Sequence, residues 1–392
     1  MLARIRPPGT FRLLHHSPKR LRSADVNISF VSNVLLGRHK STASPEITKP
    51  ISPSSQKEAS IPLEKVGKTL TCQSPPMTGR RRTKAIPFYA PYLALTKPRL
   101  TALVVLSAMG SYALTPYHAT LPQLLFLTAG TTLCSSSANA INMGREHEYD
   151  AMMTRTRNRP VVRGQLSPKQ AFAFAAVSGT VGVGSLFFGV NPTVALLGAS
   201  NILLYGGIYT SMKRTSILNT WVGAIVGAIP PLMGWAASGS LMEPGGWLLA
   251  GILYAWQFPH FNSLSHNIRD EYRRAGYQMA AWTNPALNAR VALRYSVLMF
   301  PLCIGLAYYG ITDWVFPFDS GLLTCWLTYE AYYFWRDQRL EKGPVYESTG
   351  PNPSARRLFW GSVWYLPGVL VLAMLHKKGR WDWLFGSGEL DP

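Results

Sequence analysis

Asn142, Glu146 and Asp150 recur every four residues in Asn142-Met-Gly-Arg-Glu146-His-Glu-Tyr-Asp150, at the polar end of a long apolar run. On a helix each step of four advances by about 40°, so these side chains share one stripe and Glu148 falls off it. Stacked carboxylates repel by roughly a few tenths of a kcal/mol per pair. A hard divalent cation reverses that sign, because Mg²⁺ is held by a few carboxylates together with substrate phosphates. The run Thr154-Arg-Thr-Arg-Asn-Arg-Pro160 follows at once and supplies an anion clamp. The pattern reads as a metal-bridged diphosphate site at a membrane surface. The competing reading is a solvated helix end beside arginines that only mark topology.

A second acidic patch lies in Trp256-Gln-Phe-Pro-His260-Phe-Asn-Ser-Leu-Ser-His-Asn-Ile-Arg269-Asp270-Glu271-Tyr272. Helical spacing groups Ser263, Asn267 and Glu271 on one face and Asn262, His266 and Asp270 on the next. Two acidic helix mouths on one membrane side can converge on one cavity; two unrelated interfacial clusters are the alternative. His260 follows Pro259, which frees carbonyls inside the membrane. Polar groups at that depth tend to face cavities, although a packed histidine is the plainer reading. His266 is nearer the surface and is expected to titrate in water. Tyr209 and Lys213 are four apart, with the point-charge Lys suited to phosphate and the Tyr to a leaving oxygen. An aromatic-belt Tyr beside topology-setting cations is the alternative.

The elements that must position these groups are helices in a membrane. Hydrophobic residues make up 47% of the 392 and charged residues 15%. Nine apolar segments fall at about 92–115, 121–141, 170–190, 192–210, 217–237, 247–265, 290–312, 320–336 and 357–375. Each is near the ~20 residues that cross a bilayer. Lys and Arg concentrate in the loops at 142–169, 211–216, 266–290 and 337–356; the alternate loops hold none. That alternation puts both acidic mouths and the N-terminus on one side. The cationic tail His376-Lys-Lys-Gly-Arg380 breaks the pattern.

Residues 1–90 carry 16 Lys+Arg against 4 Asp+Glu, and the first 24 residues hold six of the cations and no acid. An Arg-rich, acid-poor start reads as a mitochondrial transit peptide. The Ser-, Pro- and Lys-rich stretch 25–90 reads as disordered. A transmembrane domain over 91–376 and a tail over 377–392 complete the division. No compact basic module points to nucleic acid. Cys72, Cys134, Cys303 and Cys325 are scattered and read as buried thiols.

Several blocks carry a family resemblance. They are Leu95-Thr-Lys97-Pro98-Arg99, the 142–150 stripe, Thr156-Arg-Asn-Arg159-Pro160-Val-Val-Arg163-Gly164, Tyr209-Thr-Ser-Met-Lys213-Arg214, Asn219-Thr-Trp-Val-Gly223, Gly227-Ala-Ile-Pro-Pro-Leu-Met-Gly-Trp235 and Trp256-Gln-Phe-Pro-His260-Phe. Together they resemble the UbiA-type intramembrane prenyltransferases over about 92–375. The Asn-Thr-Trp and Trp-Gln-Phe-Pro-His blocks point to the branch that prenylates heme. The resemblance implies an all-α integral membrane protein, a nine-transmembrane-helix bundle in two pseudo-repeats around a central cavity open to lipid. It implies farnesyl diphosphate and protoheme IX as substrates, Mg²⁺ as cofactor, and a mitochondrial inner membrane with the active-site loops facing the matrix. Heme A synthesis or cytochrome oxidase assembly proteins are implied partners.

The implied roles are metal binding by Glu146, Asp150, Asp270 and Glu271, and diphosphate binding by Tyr209, Lys213, Arg214, Arg159 and Arg163. Asn142 and Lys213 join the four carboxylates as catalytic groups, and His260 binds the heme. Two positions depart from the family pattern. Glu146 stands where the first motif usually has Asp, and Glu271-Tyr272 where the second has Asp-Tyr; the extra methylene shifts metal geometry. A quinone-precursor prenyltransferase shares the diphosphate site and differs at the acceptor. A transporter fits less well, because the charged groups gather on one side instead of lining a path.

Overall fold

Proline punctuates the apolar runs into helices. The computed structural model describes residues 87–340 and 352–381, so all but the last four residues of the transit and disordered region expected over 1–90, together with Cys72 and the end of the tail, lie outside the described residues. The long helices are α1 (Pro98–Leu114), α2 (Leu121–Arg145), α3 (Pro168–Gly189), α4 (Pro192–Met212), α5 (Asn219–Ala236), α6 (Pro244–Asn267), α7 (Pro285–Tyr308), α8 (Phe316–Leu340) and α9 (Pro353–Leu375). Eight of them, all but α5, carry proline in the first turn. There its fixed φ suits the helix and its missing N–H leaves nothing unpaired. Ser167 closes a capping box with Gln170, and Asn191, Asn284 and Asn352 cap α4, α7 and α9.

A helix thus occupies each expected apolar segment. Five of them (α2, α3, α4, α7 and α9) are long and apolar enough to cross a membrane, while α1 is apolar but shorter at 17 residues. No strand occurs among the described residues. Helix α2 packs on α1, α3 and α4; α5 packs on α1, α4 and α6; α6 also meets α7 and α9; and α8 lies against α7 and α9. Helices α1 and α5 approach so closely that a Cβ on Gly234 would lie 1.9 Å from the Ala108 carbonyl oxygen. Cys134 and Cys303 are buried as expected; Cys325 is exposed on α8, against that reading.

The start of the basic tail that breaks the loop pattern is fastened locally. His376 sits between Asp313 and Asp319, with each ring nitrogen 3.0 Å from a carboxylate oxygen. Lys377 Nζ donates to the carbonyls of Ala113 (2.8 Å) and Thr115 (2.6 Å), which ties the end of α9 to the end of α1. Backbone bonds from Asp313 to His376 (2.8 Å) and from Lys378 to Ile311 (3.1 Å) complete the clasp. Cations paired in this way no longer report on topology.

Burial alone would lower the His376 pKa; its hydrogen bonds to, and the charges of, Asp313 and Asp319 outweigh that and raise it. A raised histidine pKa contributes stability that is complete below the unfolded value of about 6.5 and is lost as pH rises through the folded value. His376→Gln should therefore lower the unfolding temperature in detergent at acid pH and leave it nearly unchanged well above neutrality. Equal losses at both pH values would refute the ionic clasp.

Candidate active site

The 142–150 stripe is present, although its helix is interrupted. Helix α2 ends at Arg145, Glu146 takes φ −102° and ψ 9°, and a new turn runs from His147 to Asp150. The i→i+4 bonds survive the break: Glu146 N donates to Asn142 O at 3.0 Å and Asp150 N to Glu146 O at 2.8 Å. The three side chains therefore remain on one line. Asn142, Glu146 and Asp150 are 1%, 4% and 2% exposed, whereas Glu148 is exposed.

Buried carboxylates require cations. Lys213 Nζ lies 3.0 Å from Glu146 Oε2, and Arg159 pairs with Asp150. Asn142 Nδ2 donates to Glu146 Oε2 (2.7 Å) and to the Thr210 hydroxyl (3.2 Å). Its Oδ1 accepts from Lys97 Nζ at 3.1 Å, which also reaches the Tyr205 hydroxyl at 3.3 Å. Burial pushes the Asp150 pKa up against the pull of Arg159. Glu146 Oε1 is buried and accepts no hydrogen bond.

Two backbone devices aim the cations. Lys97 has φ 47°, in the left-handed region rarely used by side-chain-bearing residues, just ahead of the Pro98 that starts α1. On α4 the stretch Leu204–Tyr209 is a π-helical turn, a local winding that often marks functional sites. Tyr205 and Tyr209 stack there with centroids 5.4 Å apart, and Lys213 Nζ stands 4.6 Å from the Tyr209 ring centre. Arg145 donates to the Gly206 and Gly207 carbonyls (2.7 and 3.1 Å) of that turn.

Lys97, Asn142, Glu146, Asp150, Arg159, Tyr205, Tyr209 and Lys213 line one cavity of about 460 Å³. Its charged lining is Lys97, Arg155, Arg159 and Lys213 against Glu146 and Asp150, an excess of two positive charges. Below the charged mouth the walls become apolar and aromatic. Leu100 and Leu103 of α1 line it while 44% and 60% exposed, so the cavity opens sideways at that helix.

His260 lies deeper on the same cavity, as its place after Pro259 suggested. Its ring stacks on Trp256 (4.7 Å, 21°), and Nδ1 is 3.0 Å from the Ser362 hydroxyl. That hydroxyl gives its single proton to the Phe359 carbonyl at 2.6 Å. Ser362 Oγ must then accept, which places the His260 proton on Nδ1 and leaves Nε2 with a free lone pair. Trp256 is held by the same residue, its Nε1 donating to the Ser362 carbonyl at 2.7 Å.

The second acidic patch does not join the first in this structure. Helix α6 ends at Asn267, Ile268 breaks the run, and a separate turn covers Arg269–Arg274. Asp270 is exposed, and Glu271 accepts from the backbone N–H of Thr154 at 3.1 Å and from the Thr154 hydroxyl. Neither lines the cavity, and no cluster of three or more acidic, His or Cys side chains occurs among the described residues. The facing residues are used in packing: Asn262 and Asn288 exchange bonds of 2.9 and 3.0 Å between α6 and α7. His266 is 2% exposed and rests edge-on to Phe334 of α8, contrary to the expectation that it titrates in water. Arg163 is exposed outside the cavity, and Arg214 turns to Tyr149, with its guanidinium 4.2 Å from that ring centre.

Lys97, Tyr205 and Tyr277 are cavity residues that the sequence reading does not assign, whereas Arg155 belongs to the run read as the anion clamp. The Lys97-Pro98 junction was the available signal, since a charge immediately before a proline-started span lies at the mouth by construction. Asn219 was noticed without a role. Its Nδ2 bridges the Ser216 and Gln278 carbonyls (2.6 and 2.7 Å), and Gln278 N donates to Lys213 O at 2.7 Å. Asn219 thereby ties the segment carrying Tyr277 to the one carrying Lys213.

An all-helical membrane bundle with carboxylates, cations and a lipid-open cavity at one end defines a class: proteins that process an amphiphile with an anionic head. Residues 103–363 match the model of the UbiA prenyltransferase family, and the chain belongs to that family. It is 63% identical over 338 residues to the mitochondrial protoheme IX farnesyltransferase of Yarrowia lipolytica, covering 82% of this chain and 71% of that protein. The Saccharomyces cerevisiae protein of the same name is 63% identical over 311 residues, 77% of this chain and 67% of that one. Among solved structures, a digeranylgeranylglyceryl phosphate synthase superposes with TM-score 0.59 at 14% identity over 74% of this chain and 99% of that one. A UbiA homolog from Archaeoglobus fulgidus bound to GPP and Mg²⁺ gives 0.51 at 12% identity over 72% and 99%. At these identities the structures establish the fold alone.

The stripe predicts graded effects. Glu146→Ala and Asp150→Ala should each cut turnover by at least about 10²-fold, as removal of a preorganised charge-stabilising group does, with the protein still inserted. Glu148→Ala should stay within about twofold, as exposed substitutions usually do. Lys97→Ala should raise the donor KM about tenfold or more, since a charge-assisted contact contributes ~1.5–3 kcal/mol. Steady-state kinetics on purified variants checks all four, and equal losses from Glu148 and Asp150 would sink the stripe.

Proposed function

We propose that the protein transfers the farnesyl group of farnesyl diphosphate to a vinyl group of protoheme IX, with addition of water, making heme O on the route to heme A. The observation that carries this reading is one cavity with a charged mouth at one end and, at depth, a histidine whose Nε2 lone pair is free. The first suits a diphosphate and the second an iron porphyrin. The relatives named protoheme IX farnesyltransferase, at 63% identity, support the same pairing.

Lys97, Lys213 and Arg159 hold the diphosphate, with Tyr209 beside Lys213. Arg155, also on the cavity wall, joins them. Arg163 and Arg214 stand outside and contribute to the field at the mouth. The donor set fits Mg²⁺: Glu146 offers an orphaned buried oxygen, and Asp150 and Asn142 lie one turn to either side. One or two carboxylates plus phosphate oxygens satisfy that ion. When bound it neutralises charge on the leaving diphosphate. Asp270 and Glu271 are rim carboxylates that join the metal site only when Glu271 releases Thr154. Glu271→Ala is therefore expected to cost less than Asp150→Ala.

The residues then act in a simple order. Lys97, Lys213 and Arg159 exchange their contacts with Asn142, Glu146 and Asp150 for the incoming anion, so their positive charge meets the negative charge that grows on the leaving group. The cavity below excludes bulk water from the allylic cation, and aromatic faces such as Tyr205 and Tyr209 steady it. His260, with its proton fixed on Nδ1 by Ser362, presents Nε2 to the heme iron and sets the vinyl edge toward the cation. We place the protein in the mitochondrial inner membrane with nine crossings and the charged mouth facing the matrix. The mitochondrial relatives and the one-sided basic loops support this. Proteins of heme A synthesis or cytochrome oxidase assembly are the expected partners.

Detergent-solubilised protein given farnesyl diphosphate and protoheme should release diphosphate and form a farnesylated heme. An aromatic quinone precursor in place of heme should give neither; turnover on that acceptor alone would favour the rival prenyltransferase reading. His260→Ala should alter the heme absorption spectrum and stop product formation while donor affinity changes by less than about twofold, the scatter of a surface substitution. Ser362→Ala should shift the spectrum in the same direction with partial turnover, and Ser362→Thr should restore it. A normal spectrum with normal turnover in His260→Ala would return His260 to packing.

A further inference from the structure

The cavity wall below the charged mouth carries polar groups that the steps above do not use. On the α1–α2 side they have protein partners: Ser107 donates to the Val104 carbonyl (2.7 Å), Ser135 bonds Thr101 (2.9 Å), and Asn139 donates to the Thr96 carbonyl (3.3 Å). Asn201, on α4, differs. It lines the cavity, its Oδ1 is buried, and that oxygen has no hydrogen-bond partner. The other cavity-lining side chain with a buried orphaned oxygen below the mouth, among the described residues, is Thr131 of α2. A buried polar group without a partner is costly inside a membrane bundle, so an unpaired amide on a cavity wall points to a polar partner that it meets when the cavity is filled.

Asn201 is four residues from Tyr205, so it lies about 6 Å below the hydroxyl layer that holds Lys97. Its surroundings on the wall include Gly198, Ile202 and Met233, which offer it no hydrogen bond. A farnesyl chain and a vinyl group cannot satisfy an amide either. The proposed reaction consumes one small polar molecule, water. We infer that Asn201 holds the water that adds to the acceptor, a positioning role for the hydration half of the reaction.

The step balances. The C1–O bond of farnesyl diphosphate breaks with its electron pair leaving on the diphosphate. The vinyl π pair bonds C1 through the outer vinyl carbon, which leaves the inner carbon electron-deficient. The oxygen of the Asn201-held water bonds that carbon, and the water's proton passes to the diphosphate. Nothing is oxidised or reduced. Without a positioned water, the same cation closes by losing a proton from its neighbouring carbon, and the product is an alkene lighter by one water.

The inference rests on the proposed farnesylation, and one experiment separates the two. Purified enzyme is incubated with farnesyl diphosphate and protoheme in isotope-labelled water, and products are read by mass spectrometry. Wild type should give the labelled hydroxyl product. Asn201→Leu should shift the alkene-to-hydroxyl ratio at least about tenfold, the effect of losing one hydrogen bond, with the donor KM nearly unchanged. Asn201→Ala, which adds no bulk, carries the same measurement if the Leu variant fails to accumulate. An unchanged ratio in these variants, whatever the yield, overturns the assignment, as does loss of all product from both. Absence of any farnesylated heme from wild type overturns the function beneath it.

Discussion

Two carboxylates buried at the end of a membrane bundle govern this structure. Glu146 and Asp150 are nearly inaccessible, and a buried charge without a partner is among the costliest features a fold can carry. The loops that follow α2 and α4 supply Arg159 and Lys213, and Asn142 links the pair to Lys97. The ion pairs hold the mouth together in the absence of substrate. In the proposed reaction they also hold it in reserve, because each partner would complement a substrate part: carboxylates a metal ion, cations phosphate oxygens. Removing one partner leaves the other charge unpaired, so the site resists piecemeal change.

The same constraint explains the winding of the supporting helices. Tyr205, Tyr209 and Lys213 recur every four residues along α4 and so share one face, and the π turn at Leu204–Tyr209 that carries the two tyrosines is held by Arg145 through the Gly206 and Gly207 carbonyls. Gly223 gives the Tyr209 ring room, since a Cβ there would lie 2.8 Å from it. Lys97 accepts a left-handed backbone to reach the same centre. Local strain of this kind persists only where surrounding contacts over-determine it.

The helices were legible in the sequence because each is a long apolar run, in all but α5 opened by proline, and such signals are local. The 142–150 stripe was legible for the same reason, and it survived a helix break because the i→i+4 bonds did. What escaped was tertiary. Lys97 and Tyr205 lie 108 residues apart and meet only through packing. The second acidic patch was read as a continuation of α6, but the break at Ile268 turned Glu271 onto Thr154. His266 was assigned to solvent from its distance to the span's end; α8, which covers it, lies far along the chain. In the tail, the pairing of His376 with Asp313 and Asp319 and of Lys377 with the Ala113 and Thr115 carbonyls is likewise tertiary.

The acceptor end shows how much chemistry one hydroxyl can settle. A serine has a single proton to donate, and in Ser362 the Phe359 carbonyl takes it. Everything about His260 follows: the proton on Nδ1, the lone pair on Nε2, and a ring held flat against Trp256. A prenyl acceptor that is only an aromatic ring has no use for a preset imidazole lone pair, whereas an iron porphyrin does. The lone pair and the charged mouth share a cavity that opens to lipid at α1, the phase in which a prenyl chain travels. In the proposed reaction, donor and acceptor would therefore meet by occupying one cavity from its two chemically distinct ends, with no need for bulk water to enter.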